Sequence, residues 1–186
     1  MARALARPMS LGLVELQWAP TATWSDLHAM LFDGPWHVVH YIGHGDFDPA
    51  REEGFLSLVA EDGRPHNVAA HRLVTLLRQA NPMPRLVVLN SCLGAQSSTS
   101  DLFSGTAAAL VRGGFSAAAA MQYEISDQAA VAFARGFYTA IAYGRDIDDA
   151  LSSGRVAILG ASDNTLEWLT PVLYLRGRDA RLFAIP

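Results

Sequence analysis

Leu86–Ala95 reads LVVLNSCLGA, and the fold turns on these ten residues. Four apolar residues, Leu86–Leu89, run into Asn90, Ser91 and Cys92, with Pro84 before them and Gly94 after. A short, continuously apolar run between such breakers predicts a strand buried on both faces, as at the centre of a parallel sheet. Cys92 is the only cysteine in the chain and falls where that strand ends. In open α/β sheets, reacting groups collect beyond the carboxyl ends of the strands. Val38–Gly45, VVHYIGHG, has the same form and closes on Gly43-His44-Gly45. A strand-end cysteine and a strand-end histidine are the minimum for nucleophilic cysteine chemistry.

Composition bounds the possibilities. A length of 186 residues predicts a single domain, 1–186, with a full core and no staples. The 51% hydrophobic content and mean hydropathy of +0.16 suit buried parallel strands. A formal charge of −4 without a Lys/Arg cluster offers nucleic acid no footprint. A single cysteine excludes an internal disulfide and fits a reducing, cytoplasmic compartment. The apolar run after the Ala/Arg-rich Met1–Ser10 breaks at Glu15, too early for a secretory signal. No stretch reaches the ~18–20 apolar residues of a membrane span.

Outward from the two strands, helical and extended segments alternate. Leu11–Leu16 predicts a short strand, and Thr23 caps a helix over Trp24–Phe32 that Asp33-Gly34-Pro35 breaks. The histidine strand covers Trp36–Ile42, and polar Asp46–Glu53 reads as loop. Phe55–Val59 and Arg64–Val68 flank Asp62-Gly63, a hairpin-turn dipeptide. Ala69–Gln79 has helical spacing and stops at Asn81-Pro82. After the polar loop Gln96–Ser100, a helix capped at Asp101 or Ser104 runs to Val111 and ends at Gly113-Gly114. Phe115–Met121 predicts a strand, Ser126–Tyr143 a helix ended by Gly144, Asp146–Leu159 another helix, and Pro171–Leu175 a last strand. The alternation predicts a mostly parallel sheet flanked by helices on both faces. A right-handed crossover would lay the histidine and cysteine strands side by side, with both carboxyl ends on one rim.

The other histidines compete poorly with His44. His40 and His44 have an H-x₃-H spacing, but on a strand and turn rather than a helix, and no second Cys/His pair follows; no metal is expected. His37 and His40 fall on opposite strand faces, against flanking helices. His66 and His71 belong to the hairpin surface. Phe133, Phe137 and Tyr138 read as core, Trp168 as packing under the last strand, and Asp146, Asp148 and Asp149 as a helix-start cluster.

His44 lies 48 residues upstream of Cys92, close to the caspase spacing of ~50. VVHYIGHGDFD (Val38–Asp48), GFLSLVAEDGRPHNVAAHRL (Gly54–Leu73), RLVVLNSCLGA (Arg85–Ala95), the block Asp101–Leu151 and PVLYLRG (Pro171–Gly177) together resemble a CHAT domain. This is a branch of the caspase–separase group of cysteine peptidases (clan CD). The resemblance covers Leu11 to the C-terminus. It implies a caspase-like three-layer α/β/α fold with a small β-hairpin. Family members usually carry a strand and helix before the segment at Leu11, and many carry upstream helical repeats; the resemblance leads us to expect that both are missing from this chain. A regulatory helical-repeat partner, or the missing segment, is therefore an expected partner, which would cover an apolar edge near Leu11–Leu16.

The resemblance further implies a cofactor-free endopeptidase acting on a protein substrate. Cys92 would attack as thiolate, and His44 would lower its pKa and protonate the leaving amine. The backbone N–H groups of Gly45 and Cys92 would form the oxyanion hole. Asn90, Glu124 and Asp127 would line the substrate pocket, and an acidic pocket would select Arg or Lys before the cut. Asp127 has a competing role, since a helix first turn favours a carboxylate. The alternative from another class is a catalytically silent interaction module of the same fold. A cysteine acyltransferase or hydrolase acting on small molecules would need a cofactor loop that the chain does not show.

Overall fold

The computed structural model describes residues 2–48, 50–91, 102–161 and 165–184. The expected central strand is present as β5 (Leu86–Ser91), with β1 (Val38–Gly43) and β6 (Ala117–Met121) parallel to it on either side. β7 (Pro171–Leu175) pairs antiparallel with β6, giving the order β1-β5-β6-β7. Alternate residues of β5 and β6 enter two different apolar clusters. Leu86, Val88, Ala117 and Ala119 face α5 (Asp127–Ala142) and α6 (Ile147–Leu159); Val87, Leu89, Ala118 and Ala120 face α3 (Ala70–Leu77) and α4 (Leu102–Arg112). Period-two alternation with both faces apolar is what a sheet between two helical layers requires. The three-layer, mostly parallel fold is as expected.

The second sheet departs from expectation. β3 (Glu53–Val59) and β4 (Pro65–Ala69) form the hairpin, but Asp46–Glu53 is not all loop: β2 (Gly45–Asp48) pairs antiparallel with β3. The hairpin is thus a three-stranded sheet. Its polar outer strand hid from a pattern search because Phe47 is the only apolar side chain in GDFD. Asp62-Gly63 sits in a longer connection than a two-residue turn, closed by Ala60 N–H to the Arg64 carbonyl (2.8 Å), with Gly63 at φ +81.

The N-terminal part also differs. No strand forms over Leu11–Leu16. Instead α1 (Ala2–Ser10) closes in a Schellman turn: Leu13 N–H reaches the Pro8 carbonyl (3.0 Å), and Gly12 N–H the Met9 carbonyl (3.0 Å), with Gly12 at φ +69. Leu5 is buried in the cluster beneath α5, and Val14 and Leu16 pack on that cluster without pairing to a strand. The remaining elements keep their expected places with shifted ends. Thr23 caps α2 (Trp24–Met30) by accepting from Asp26 N–H (3.1 Å), and Ser126 caps α5 by accepting from Ala129 N–H (3.2 Å). Phe133, Phe137 and Tyr138 are core, and Trp168, in a short 3₁₀ turn over Glu167–Leu169, packs on the same cluster.

Candidate functional site

β1 and β5 run parallel in a register that sets Ile42 beside Asn90 and Gly43 beside Ser91. The next residues in the chain are His44 and Cys92. Cys92 lies outside the described residues, as does the loop expected over Gln96–Ser100. His44 is exposed between β1 and β2, so its imidazole is open to approach.

The backbone at His44 is held from two sides. Its carbonyl accepts Ser57 N–H from β3 (2.8 Å) and the Tyr41 hydroxyl (2.6 Å). The Ser57 carbonyl is 2.8 Å from the same hydroxyl. Tyr41 is half-buried, and burial pushes its phenol up to about 12, so it remains a neutral donor across the physiological range. Gly43 makes room for this ring: a Cβ there would lie 2.5 Å from the Tyr41 oxygen. Gly43 is therefore required for close approach, which sequence reading recognised only as a strand stop.

β2 continues the same path. The Ser57-to-His44 bond makes Gly45–Leu56 a non-hydrogen-bonded pair of the β2–β3 ladder. In such a pair both N–H groups point away from the partner strand. The Gly45 N–H is thus directed to the outer side of β2, immediately after His44, although the Gly45 residue is buried.

Of the expected substrate residues, Asn90 is buried on β5 at 4% exposure. Glu124 and Asp127 are exposed beyond the carboxyl end of β6, at the same end of the sheet as His44. Neither carboxylate has a hydrogen-bond or ion-pair partner among the described residues. A third acid there escaped sequence reading. Glu167 accepts the Ser126 N–H and lies 3.3 Å from the Ser126 hydroxyl and 3.0 Å from that of Thr165. These hydrogen bonds, the Ser126 N–H foremost, hold its carboxyl below the usual range. No local motif announces it, because its partner is 41 residues away.

The other histidines separate as well. His40 meets Tyr138 of α5 (Nδ1 to hydroxyl, 2.8 Å), as expected of a strand residue facing a helix. His37 does not: it stands exposed before β1, which begins one residue later. His71 pairs with Glu53 at 2.6 Å on the surface. Among the described residues no group of three or more His, Cys, Asp or Glu is placed to hold a metal ion, and no helix is long and apolar enough to cross a membrane.

A family model described as "CHAT domain" matches residues 2–174. No curated protein matches the chain.

Proposed function

The chain belongs to the CHAT domain family, and we propose that it is a cysteine endopeptidase acting on a protein partner through His44 and Cys92. The family is cysteine-peptidase-like, and one observation carries the reading to these residues. The in-register pair Gly43–Ser91 ends two adjacent parallel strands, and each is followed directly by a member of the dyad. In this reading His44 takes the thiol proton and Cys92 attacks the scissile carbonyl as thiolate. The tetrahedral oxyanion is met by the N–H groups of Gly45 and Cys92. His44 then protonates the departing amine, and water releases the acyl group. The outward N–H of Gly45, on a residue without a side chain to block approach, supports its part in the oxyanion hole.

The substrate class follows from the rim. Glu124 and Asp127 are unpaired carboxylates, whereas Glu167 is engaged with Ser126 and already serves the N-terminus of α5. Asp127 stands in the first turn of α5, where the helix dipole favours a carboxylate; its freedom from hydrogen bonds and ion pairs among the described residues supports it as the group that meets an Arg or Lys side chain before the cut.

The test is alkylation and turnover. Iodoacetamide should label Cys92 in the folded protein, and a peptidyl-arginine electrophile should compete. Cys92→Ala and His44→Ala should each remove cleavage by ~10³-fold or more, with Cys92→Ala costing no more than ~1–2 kcal/mol of stability. Full cleavage by Cys92→Ala ends the peptidase reading. A thiol whose labelling rate is unchanged by His44→Ala leaves the interaction-module alternative.

A further inference from the structure

A groove of about 700 Å³ lies between α1, the second half of α5 with the turn after it, and the middle of α6. Arg7, Arg135 and Arg145 line it, with the hydroxyls of Thr139, Tyr143 and Ser153, and no carboxylate is among its lining residues. All 14 Lys/Arg residues of the chain are arginines, and seven of them have partners among the described residues. Arg51, Arg64 and Arg181 pair with aspartates. Arg85, Arg155 and Arg176 donate to backbone carbonyls, and Arg72 lies over Trp24. The three groove arginines are exposed, and no such partner is found for any of them among the described residues. A second groove, by contrast, sets Glu52 and Glu53 beside Arg51 and Arg112.

Helix ends explain only part of this cluster. Arg7 is in the last turn of α1, and Arg145 follows α5 in its closing turn, bonded N–H to the Ala140 carbonyl (3.0 Å); both complement a helix dipole. Arg135 sits mid-helix, and its neighbours at three and four residues are Val131, Ala132, Tyr138 and Thr139, none of them acidic. Three unpaired guanidinium groups converging on one groove in a chain of net charge −4 are complementary to a compact anion.

We propose that this groove binds a short acidic segment of a partner protein, bringing two or three carboxylates to Arg7, Arg135 and Arg145 while its backbone meets the Thr139 and Ser153 hydroxyls. At about 700 Å³ the groove is larger than a single ion needs. A duplex would demand a wider basic surface than the chain has.

The probe is a fluorescein-labelled peptide alternating Glu and Ser, followed by anisotropy on the full chain. Binding should weaken with added salt. It should fall roughly tenfold in Arg135→Gln and in Arg145→Gln, and stay unchanged in Arg78→Gln, a substitution of an exposed arginine elsewhere. Arg135→Lys, which keeps the charge, should retain part of the affinity, and thermal melting confirms that each variant is folded. The proposal is overturned if the groove substitutions leave peptide binding intact, or if a Lys/Ser peptide binds equally well. It is also overturned if inorganic phosphate alone matches the peptide's affinity, or if phosphatidylserine vesicles bind through these arginines and the peptide does not. None of these outcomes depends on Cys92.

Discussion

Tyr41 and Gly43 are two residues apart on β1 and so share a face, and together they fix where His44 begins. The hydroxyl of Tyr41 spans a bare glycine to reach the His44 carbonyl. Tyr41→Phe keeps the ring and deletes only that donor. It should cost roughly 1 kcal/mol of stability and lower turnover by about tenfold through looser placement of the imidazole. Gly43→Ala drives a methyl into the phenol oxygen and should cost more, ~1–3 kcal/mol, with a larger loss of turnover. Denaturant melts alongside peptide-cleavage rates check both, and equal rates for wild type and Tyr41→Phe would show that the hydroxyl does not position His44. At the rim, Asp127→Asn should abolish a preference for Arg over uncharged side chains of ~10²-fold or more, because a guanidinium can make two parallel charge-assisted hydrogen bonds to the carboxylate and none of that charge pairing to the amide. Glu124→Gln should leave most of it. Cleavage after arginine that survives both substitutions removes the acidic-pocket account.

α5 and α6 approach closely, and glycine is the reason. A Cβ at Gly136 would lie 2.5 Å from the Ser153 carbonyl and 2.7 Å from the Ala157 Cβ, and one at Gly154 would lie 2.6 Å from the Phe133 ring. Gly136→Ala should therefore destabilise by about 2 kcal/mol, lowering Tm by roughly 4–8 °C. Gly160→Ala is the contrast: φ is −78 there and nothing comes nearer than 3.6 Å, so stability should hold or rise by up to ~1 kcal/mol. Differential scanning calorimetry of the two variants separates packing from backbone freedom. Helix ends such as these were legible in the sequence where glycine follows a long apolar periodicity. Gly144 after α5 and Gly113-Gly114 after α4 both mark real closures. Gly12 makes the same closure after α1, but the helix it ends is short and contains Pro8, so Leu11–Leu16 looked like a strand instead. β2 was illegible for another reason: GDFD is an edge strand whose one apolar side chain, Phe47, makes no period to find. At the site, the adjacency of β1 and β5 followed from two apolar runs and a right-handed crossover, whereas their register is set by the ladder itself. The Ser126–Glu167 contact, the Tyr41 bridge and the arginine groove are tertiary, joining residues that no local pattern links.

Across the whole molecule, one buried imidazole ties the sheet to its helical layer and makes stability depend on pH. His40 of β1 meets Tyr138 of α5 through Nδ1, while its Nε2 is buried without a partner among the described residues. Burial lowers the His40 imidazole from the usual 6.5 to about 3 and raises the Tyr138 phenol, so the pair is neutral in the folded state. Unfolding releases His40 to its ordinary value. Between about 3 and 6.5 the unfolded chain therefore binds a proton that the folded chain refuses. The stability contributed by the neutral ring is present in full above pH 6.5 and is lost as pH falls through that window. At 1.36 kcal/mol per unit, the loss amounts to about 2 kcal/mol by pH 5. Urea unfolding at pH 7.5, 6 and 5 should show this decline in the wild type. His40→Phe, which fills the space with an uncharged ring, should show a flatter profile even if it is less stable at neutral pH for want of the Tyr138 contact. His37→Ala, at an exposed position before the strand, should follow the wild-type curve. Parallel profiles for wild type and His40→Phe would assign the acid sensitivity to other groups, and the β1–α5 contact would then be a packing contact alone.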